Sequence, residues 1–240
     1  MNLLMAKRLR PVLLGWAVLG ITAVPAAVAA PNVHADATAQ KPCCGAITSN
    51  GQELESLLDG MHVEQLWQPH LHINWETGEP DRPADYKGPG RSTHCSAFAA
   101  AVGERLDVYM LRPPEHGQIF LASAQAQWFH SAEGVKDGWQ PLTGPDHERR
   151  AQELANRGEL VVIVYESPNP HKPGHIVIVR PSEKSAAELD AQGPQITQAG
   201  AENHDSFIAA QAFNHHPGAW PDGVRYYWHR VEWASLKSAE

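Results

Sequence analysis

Cys95 stands where a Gly/Pro-rich approach, Lys87-Gly88-Pro89-Gly90, gives way to an apolar stripe of period near four at Phe98, Val102 and Leu106. That stripe predicts a helix opening at the cysteine, with the thiol at its end and not in its core face. A thiol near the positive end of a helix dipole is biased toward thiolate, the nucleophilic form. The plain alternative is a small buried residue, the common fate of a free cysteine. His175 follows Gly174 and heads Ile176-Val177-Ile178-Val179, a β-branched run that predicts a buried strand. An imidazole on the first residue of a strand is held rigidly enough to act as a general base. A third polar group usually accepts from the other ring N–H and fixes the tautomer. Gln198, in the strand-like segment Pro194 to Gly200, and Asn203 just beyond it both suit that part, and the pattern leaves the two open.

Thr93-His94-Cys95-Ser96-Ala97-Phe98 before an Ala-rich helix, then Gly174-His175-Ile176-Val177-Ile178-Val179 after a hydrophobic strand, resembles the papain-like bacterial amidases. These are the NlpC-like and CHAP groups, whose order is cysteine at a helix start, histidine at a strand head, then a polar residue on the following strand. The resemblance spans roughly Tyr86 to Asn203, about half of the chain. It implies a papain-like α+β fold and hydrolysis of peptide or amide bonds, usually in peptidoglycan. Cys95 would be the nucleophile, His175 the base and Gln198 or Asn203 the orienting group, with no metal or other cofactor. Tyr86, upstream of the cysteine, and Ser96, beside it, would serve the substrate and oxyanion side. His94 stands where the family usually carries Asp, and no Gly follows Cys95-Ser96.

The elements that must position these residues follow from periodicity. Gln52 to Trp67 has a helical pattern interrupted at Gly60, and 76–92 holds enough Pro and Gly to be loop. Gln118 to Phe129 reads as a second helix with Ile119, Leu121, Ala122, Ala126 and Phe129 inward. Asp146 to Asn156 reads as a third, capped by Asp146 and closed by Gly158. The period then changes to two. Leu160–Tyr165, Ile176–Val179, Gln195–Ala199 and Val224–Trp233 read as strands. Helices first and short-turn strands after predict α+β with a largely antiparallel sheet.

Residues 1–30 have the layout of a cleaved secretory leader: Lys7, Arg8 and Arg10, an apolar stretch from Pro11 to Val24, and Ala27-Val28-Ala29. The expectation is an exported protein, periplasmic or secreted, with no stable membrane insertion once the leader is removed. Residues 31–50 read as a linker and 51–240 as one catalytic domain with an N-terminal helical extension. The chain has 19 Lys+Arg against 27 Asp+Glu, a net charge of -8, and losing the leader removes three more cations. That balance excludes a nucleic-acid binder, which needs cations to neutralise phosphate. Of the 3 cysteines, either Cys43 and Cys44 bond each other and leave Cys95 free, or one of them bridges to Cys95 and silences it.

Three rival readings compete. His70-x-His72 and His215-His216 could belong to a metal hydrolase, although no His-Glu-x-x-His is present. Trp139, Trp220, Trp228 and Trp233 could stack on sugar rings in a non-catalytic binding module, or simply fill the core. The same thiol chemistry could also serve a toxin-like amidase aimed at a competitor's wall.

Overall fold

The computed structural model describes residues 42–238. The expected leader and the first part of the expected linker lie outside them. The described elements are α1 (Ser49–Gly60), α2 (Cys95–Arg105), α3 (Leu121–Trp128), α4 (Ala132–Lys136), β1 (Gln140–Leu142), α5 (His147–Asn156) and β2 (Leu160–Tyr165). They continue with β3 (His175–Val179), α6 (Ala186–Gln192), β4 (Gln195–Gln198), β5 (His204–Ile208), α7 (Ala209–Ala212), β6 (Val224–His229) and α8 (Trp233–Lys237). The six strands form one sheet in the order β1-β6-β2-β3-β4-β5, every neighbouring pair antiparallel. The chain is therefore α+β with an antiparallel sheet.

The apolar runs of β2 and β3 are explained by burial on both faces. Every residue of either strand is buried. Val162, Val164, Ile176 and Ile178 pack with Phe98 and Val102 of α2 on one face. Val161, Ile163, Val177 and Val179 pack with Ala151 and Ala155 of α5 and with Phe213 on the other. The strand period of two therefore sorts one continuous hydrophobic run into two cores. α2 lies close to the sheet because Ala97, Ala99, Ala100 and Ala101 leave little side chain between backbone and strand, and all are buried.

Segments without regular structure are held by buried amides. Asn156, 1% exposed, donates from Nδ2 to the carbonyls of Gly45 at 3.2 Å and Ser182 at 3.0 Å, and its Oδ1 accepts from Ser182 N–H at 2.9 Å. Pro42 forms a bridge with Ser185, and Cys43 N–H donates to the Lys184 carbonyl at 2.9 Å. The last residues of the expected linker are thus docked, and Ser49 and Asn50 already belong to α1. Cys43 and Cys44 are joined to each other and Cys95 is free, so the first of the two cysteine pairings is the one found.

Some boundaries differ from the sequence pattern. α1 ends at Gly60, and the chain then turns through His62 and Trp67, both at positive φ. α3 begins at Leu121 and not at Gln118, which leaves Ile119 outside the helix and 54% exposed instead of inward. Asp146 occupies the cap position of α5 without a side-chain capping bond, and Gly158 follows at φ 87°. β1, β5 and the short helices α4, α6, α7 and α8 were not legible, and α6 and α7 interrupt the expected succession of strands. Among the described residues no helix is long and apolar enough to cross a membrane.

Replacing Asn156 by Ala strands several buried backbone groups at once, each costing on the order of 1 kcal/mol or more. Urea unfolding of Asn156→Ala is expected to show a loss of about 2–3 kcal/mol with an unchanged m value.

Candidate active site

The cysteine and the histidine arrive at the head of β3 from opposite sides. Cys95, 3% exposed, is the first residue of α2 and belongs to the core face shared with Ile176 and Ile178. The N–H of Ile176 helps to hold the thiol's pKa down, but β3 turns the Ile176 side chain to the Cys95 face and the His175 ring to the opposite face, beside Phe213. His175, 5% exposed, begins β3 opposite Tyr165 of β2. Its ring lies edge-on to Phe213 at 5.2 Å and stacks on His216 at 5.3 Å. Gly174 has no room for a side chain, since a Cβ there would sit 2.2 Å from the Tyr165 carbonyl oxygen. The turn into His175 therefore runs directly against β2, which fixes where the imidazole starts. Among the described residues no hydrogen bond joins the Cys95 sulfur to the His175 ring.

Of the two candidate amides, Gln198 is the one bonded to the imidazole. His175 Nε2 is 3.0 Å from Gln198 Oε1, and Gln198 Nε2 donates to the Glu202 carbonyl at 3.1 Å. The Glu202 contact sets which end of the amide faces the ring. Since Oε1 can only accept, Nε2 of His175 carries the proton and Nδ1 keeps the basic lone pair. Asn203 has a different task. Its Nδ2 donates to the carbonyls of Val63 at 2.8 Å, Leu66 at 2.9 Å and Trp67 at 3.2 Å, and its Oδ1 accepts from Gly200 N–H at 2.9 Å. With its side chain engaged in this way, it ties the loop after α1 to the turn after β4 and does not orient the imidazole.

The electrostatics depart from the expected thiolate. Burial pushes the Cys95 thiol above its ordinary value, against the pull of the N–H groups of Ile176, Ser96 and Cys95 itself and of the Ser96 hydroxyl. Burial also carries His175 down to about 4; His216 and His215 push the same way and the Gln198 bond opposes them. Desolvation of the charged forms thus outweighs the dipole of α2, and at neutral pH the pair rests as thiol and neutral imidazole.

Ser96 is buried beside the sulfur, and its carbonyl is held by Gln125 Nε2 at 3.1 Å. Tyr86 lies in a loop cluster, edge-on to His72 at 5.3 Å and with its hydroxyl over Gly88. Its oxyanion part rests on the resemblance alone. His94, in the place of the family's Asp, is buried and donates from Nε2 to the Leu71 carbonyl at 3.0 Å, anchoring the loop before α2. A cavity of about 390 Å³ opens onto His175 and Gln198 and is also lined by Thr93, Glu202 and His216. His216 and Phe213, which cage the His175 ring, are absent from the sequence-based set of candidates; the doublet His215-His216 is the one local signal of them, and its spacing suggests a metal pair rather than a neighbour of His175.

The other candidate residues sit elsewhere. His72 Nδ1 pairs with Asp81, and among the described residues no three His, Cys, Asp or Glu side chains gather as a metal site. Trp139 is fully buried, and Trp220, Trp228 and Trp233 pack partly buried against the two cores.

Alkylation of Cys95 by iodoacetamide is expected to be slower at pH 7 than that of a short cysteine peptide, and its rate should still be rising at the pH where the peptide's has levelled off, because burial disfavours the thiolate. A flat rate between pH 5 and 8 would mean a preformed ion pair instead. Nitrogen-15 shifts of His175 should report one tautomer, protonated at Nε2. Gln198→Ala is expected to lose that signature and about 1–3 kcal/mol, because it strands the buried His175 Nε2–H, whereas Asn203→Ala keeps the signature and loses about 2–3 kcal/mol.

Compared with known proteins, the chain matches no protein-family model and has no significant match among curated proteins.

Proposed function

We propose that the protein is an exported papain-like thiol hydrolase that cleaves amide bonds, with peptidoglycan peptides as substrate. The observation that carries the reading is the His175–Gln198 hydrogen bond, which fixes one tautomer of an imidazole that opens onto the cavity lined by Thr93 and His216. A free cysteine opens α2 on the opposite face of the sheet, in the core that holds Ile176 and Ile178, so the hydrolase reading requires substrate binding to bring the Cys95 thiol and the imidazole together. The peptidoglycan substrate and the export follow from the family resemblance and the leader-like N-terminus, respectively.

In this mechanism Nδ1 of His175 removes the thiol proton as the sulfur attacks the amide carbonyl carbon. Gln198 keeps the proton on Nε2 and steadies the imidazolium that forms. Backbone N–H groups in the first turn of α2 hold the oxyanion, since they lack intrahelical partners. Collapse of the tetrahedral adduct breaks the C–N bond, and His175 returns its proton to the leaving amine. Water, deprotonated by the same Nδ1, then attacks the thioester and releases the carboxylic acid and the thiol. A resting neutral pair makes His175 a general base during the attack, and the thiol–imidazole hydrogen bond forms as the substrate closes the site.

Digestion of purified peptidoglycan sacculi, read by mass spectrometry of the released fragments, tests the reading. Wild type is expected to release muropeptides and Cys95→Ala to lose at least about 10³-fold of that rate. Equal release by both proteins, or none from wild type while Cys95 is reduced and open to alkylation, overturns the wall hydrolase.

A further inference from the structure

A second cavity, of about 640 Å³, lies between α3 and the β2–β3 connection. It adjoins the proposed site through the chain itself. Lys172 lines this cavity and Pro173 lines the one that holds His175, while Ser123 Oγ packs against Gly174. Its mouth is apolar in a way the fold does not require. Ile119 and Phe120, 54% and 41% exposed, precede α3 and are left in solvent. Phe120 is held at φ 57°, a left-handed conformation that costs an aromatic residue energy and is retained where surrounding structure demands it. Ser123 Oγ is buried in the cavity wall with no hydrogen-bond partner.

The charge lining the cavity is equally specific. Lys172 and Arg225 are exposed cations, and among the described residues neither has a carboxylate within ion-pair distance. Glu166, the carboxylate in the same wall, accepts from Gln127 Nε2 at 2.7 Å. An apolar lip with two unneutralised cations, in a chain of net charge -8, selects a ligand that joins an apolar group to an anion.

We propose that this cavity is a substrate subsite for a peptide segment carrying a free carboxylate next to an apolar side chain. Ile119 and Phe120 receive the apolar side chain, and Lys172 and Arg225 receive the carboxylate. The assignment rests on the hydrolase reading for its purpose, but its binding chemistry can be measured without turnover.

The test uses the full chain carrying Cys95→Ala and two probes, acetyl-alanyl-leucine with a free carboxylate and the same peptide as its carboxamide. Binding is followed by the carbon-13 methyl shifts of Ile119. Saturable shifts are expected with both probes, the acid binding about fivefold tighter at low salt. Lys172→Gln combined with Arg225→Gln should erase that preference and leave the remaining methyl spectrum unchanged. Equal affinity for acid and amide in the parent protein overturns the proposal without reliance on any variant. So does the absence of a shift at Ile119, or shifts confined to the cavity around His175. A preserved acid preference together with no amide hydrolysis by wild type overturns the hydrolase reading and leaves the anion subsite standing.

Discussion

The pairing of β2 with β3, buried on both faces, is the constraint from which the rest of the architecture follows. Tyr165 lies opposite His175 and Val162 opposite Ile178, so the ladder runs to the very head of β3. No water reaches these strands, and each backbone N–H and C=O must find a partner in the sheet. One consequence falls on α2, which covers a face already crowded with Val and Ile and packs Phe98 and Val102 there beside a run of small buried alanines. Another falls on Gly174, where the Tyr165 carbonyl excludes any side chain. The first residue free to carry chemistry is then His175. The sheet's need for closed hydrogen bonding thus sets the position of the imidazole before any catalytic requirement is considered.

The long irregular stretches around that sheet need a different device, and the chain uses buried side chains that bond to backbone. Asn203 serves the loop after α1, Asn156 the segment around Cys44 to Gly45, and Gln152 donates to the Arg180 carbonyl at 2.8 Å. Arg180 itself, with its side chain 7% exposed, reaches Glu55 and Asp59 of α1, each at 3.0 Å. Replacing such a residue by an apolar one leaves carbonyls and carboxylates behind, so these contacts hold the fold more by the penalty of their loss than by net gain. They also explain how segment 42–92, irregular apart from α1, packs against a sheet formed from later residues.

This distribution of tasks decides what the sequence could reveal. The cysteine at a helix start and the histidine at a strand head were legible because both sit at changes of hydrophobic period, a local property. The β-branched runs were legible for the same reason. Gln198 and Asn203 looked alike because both are amides near one turn. What separates them is non-local: Asn203 meets carbonyls well over one hundred residues earlier in the chain. Ile119 was misplaced because an apolar residue before a helix matches the pattern of one inside it, and only the start at Leu121 distinguishes the two. β5 escaped notice because its residues are half-buried at the edge of the sheet and show no alternation. The docking of His216 over His175 depends on how the segment after α7 folds back, which no periodicity encodes.

The thiol shows how one local rule can be overruled by the environment that the same residues create. A helix dipole favours an anion at its N-terminus by up to about 2 kcal/mol in a partly buried setting. Full desolvation of an ionisable group shifts its pKa by as much as three to five units, a larger energy of opposite sign. The apolar stripe that begins α2 at Cys95 also packs the sulfur against β3, so the dipole and the burial arrive together and burial wins. The same holds for His175, where the caging rings of Phe213 and His216 hold the imidazole in place and also disfavour its charge. Each group therefore rests uncharged at neutral pH, held so by its own desolvation on its own face of the sheet, and the strand alternation that separates Ile176 from His175 keeps the two effects independent.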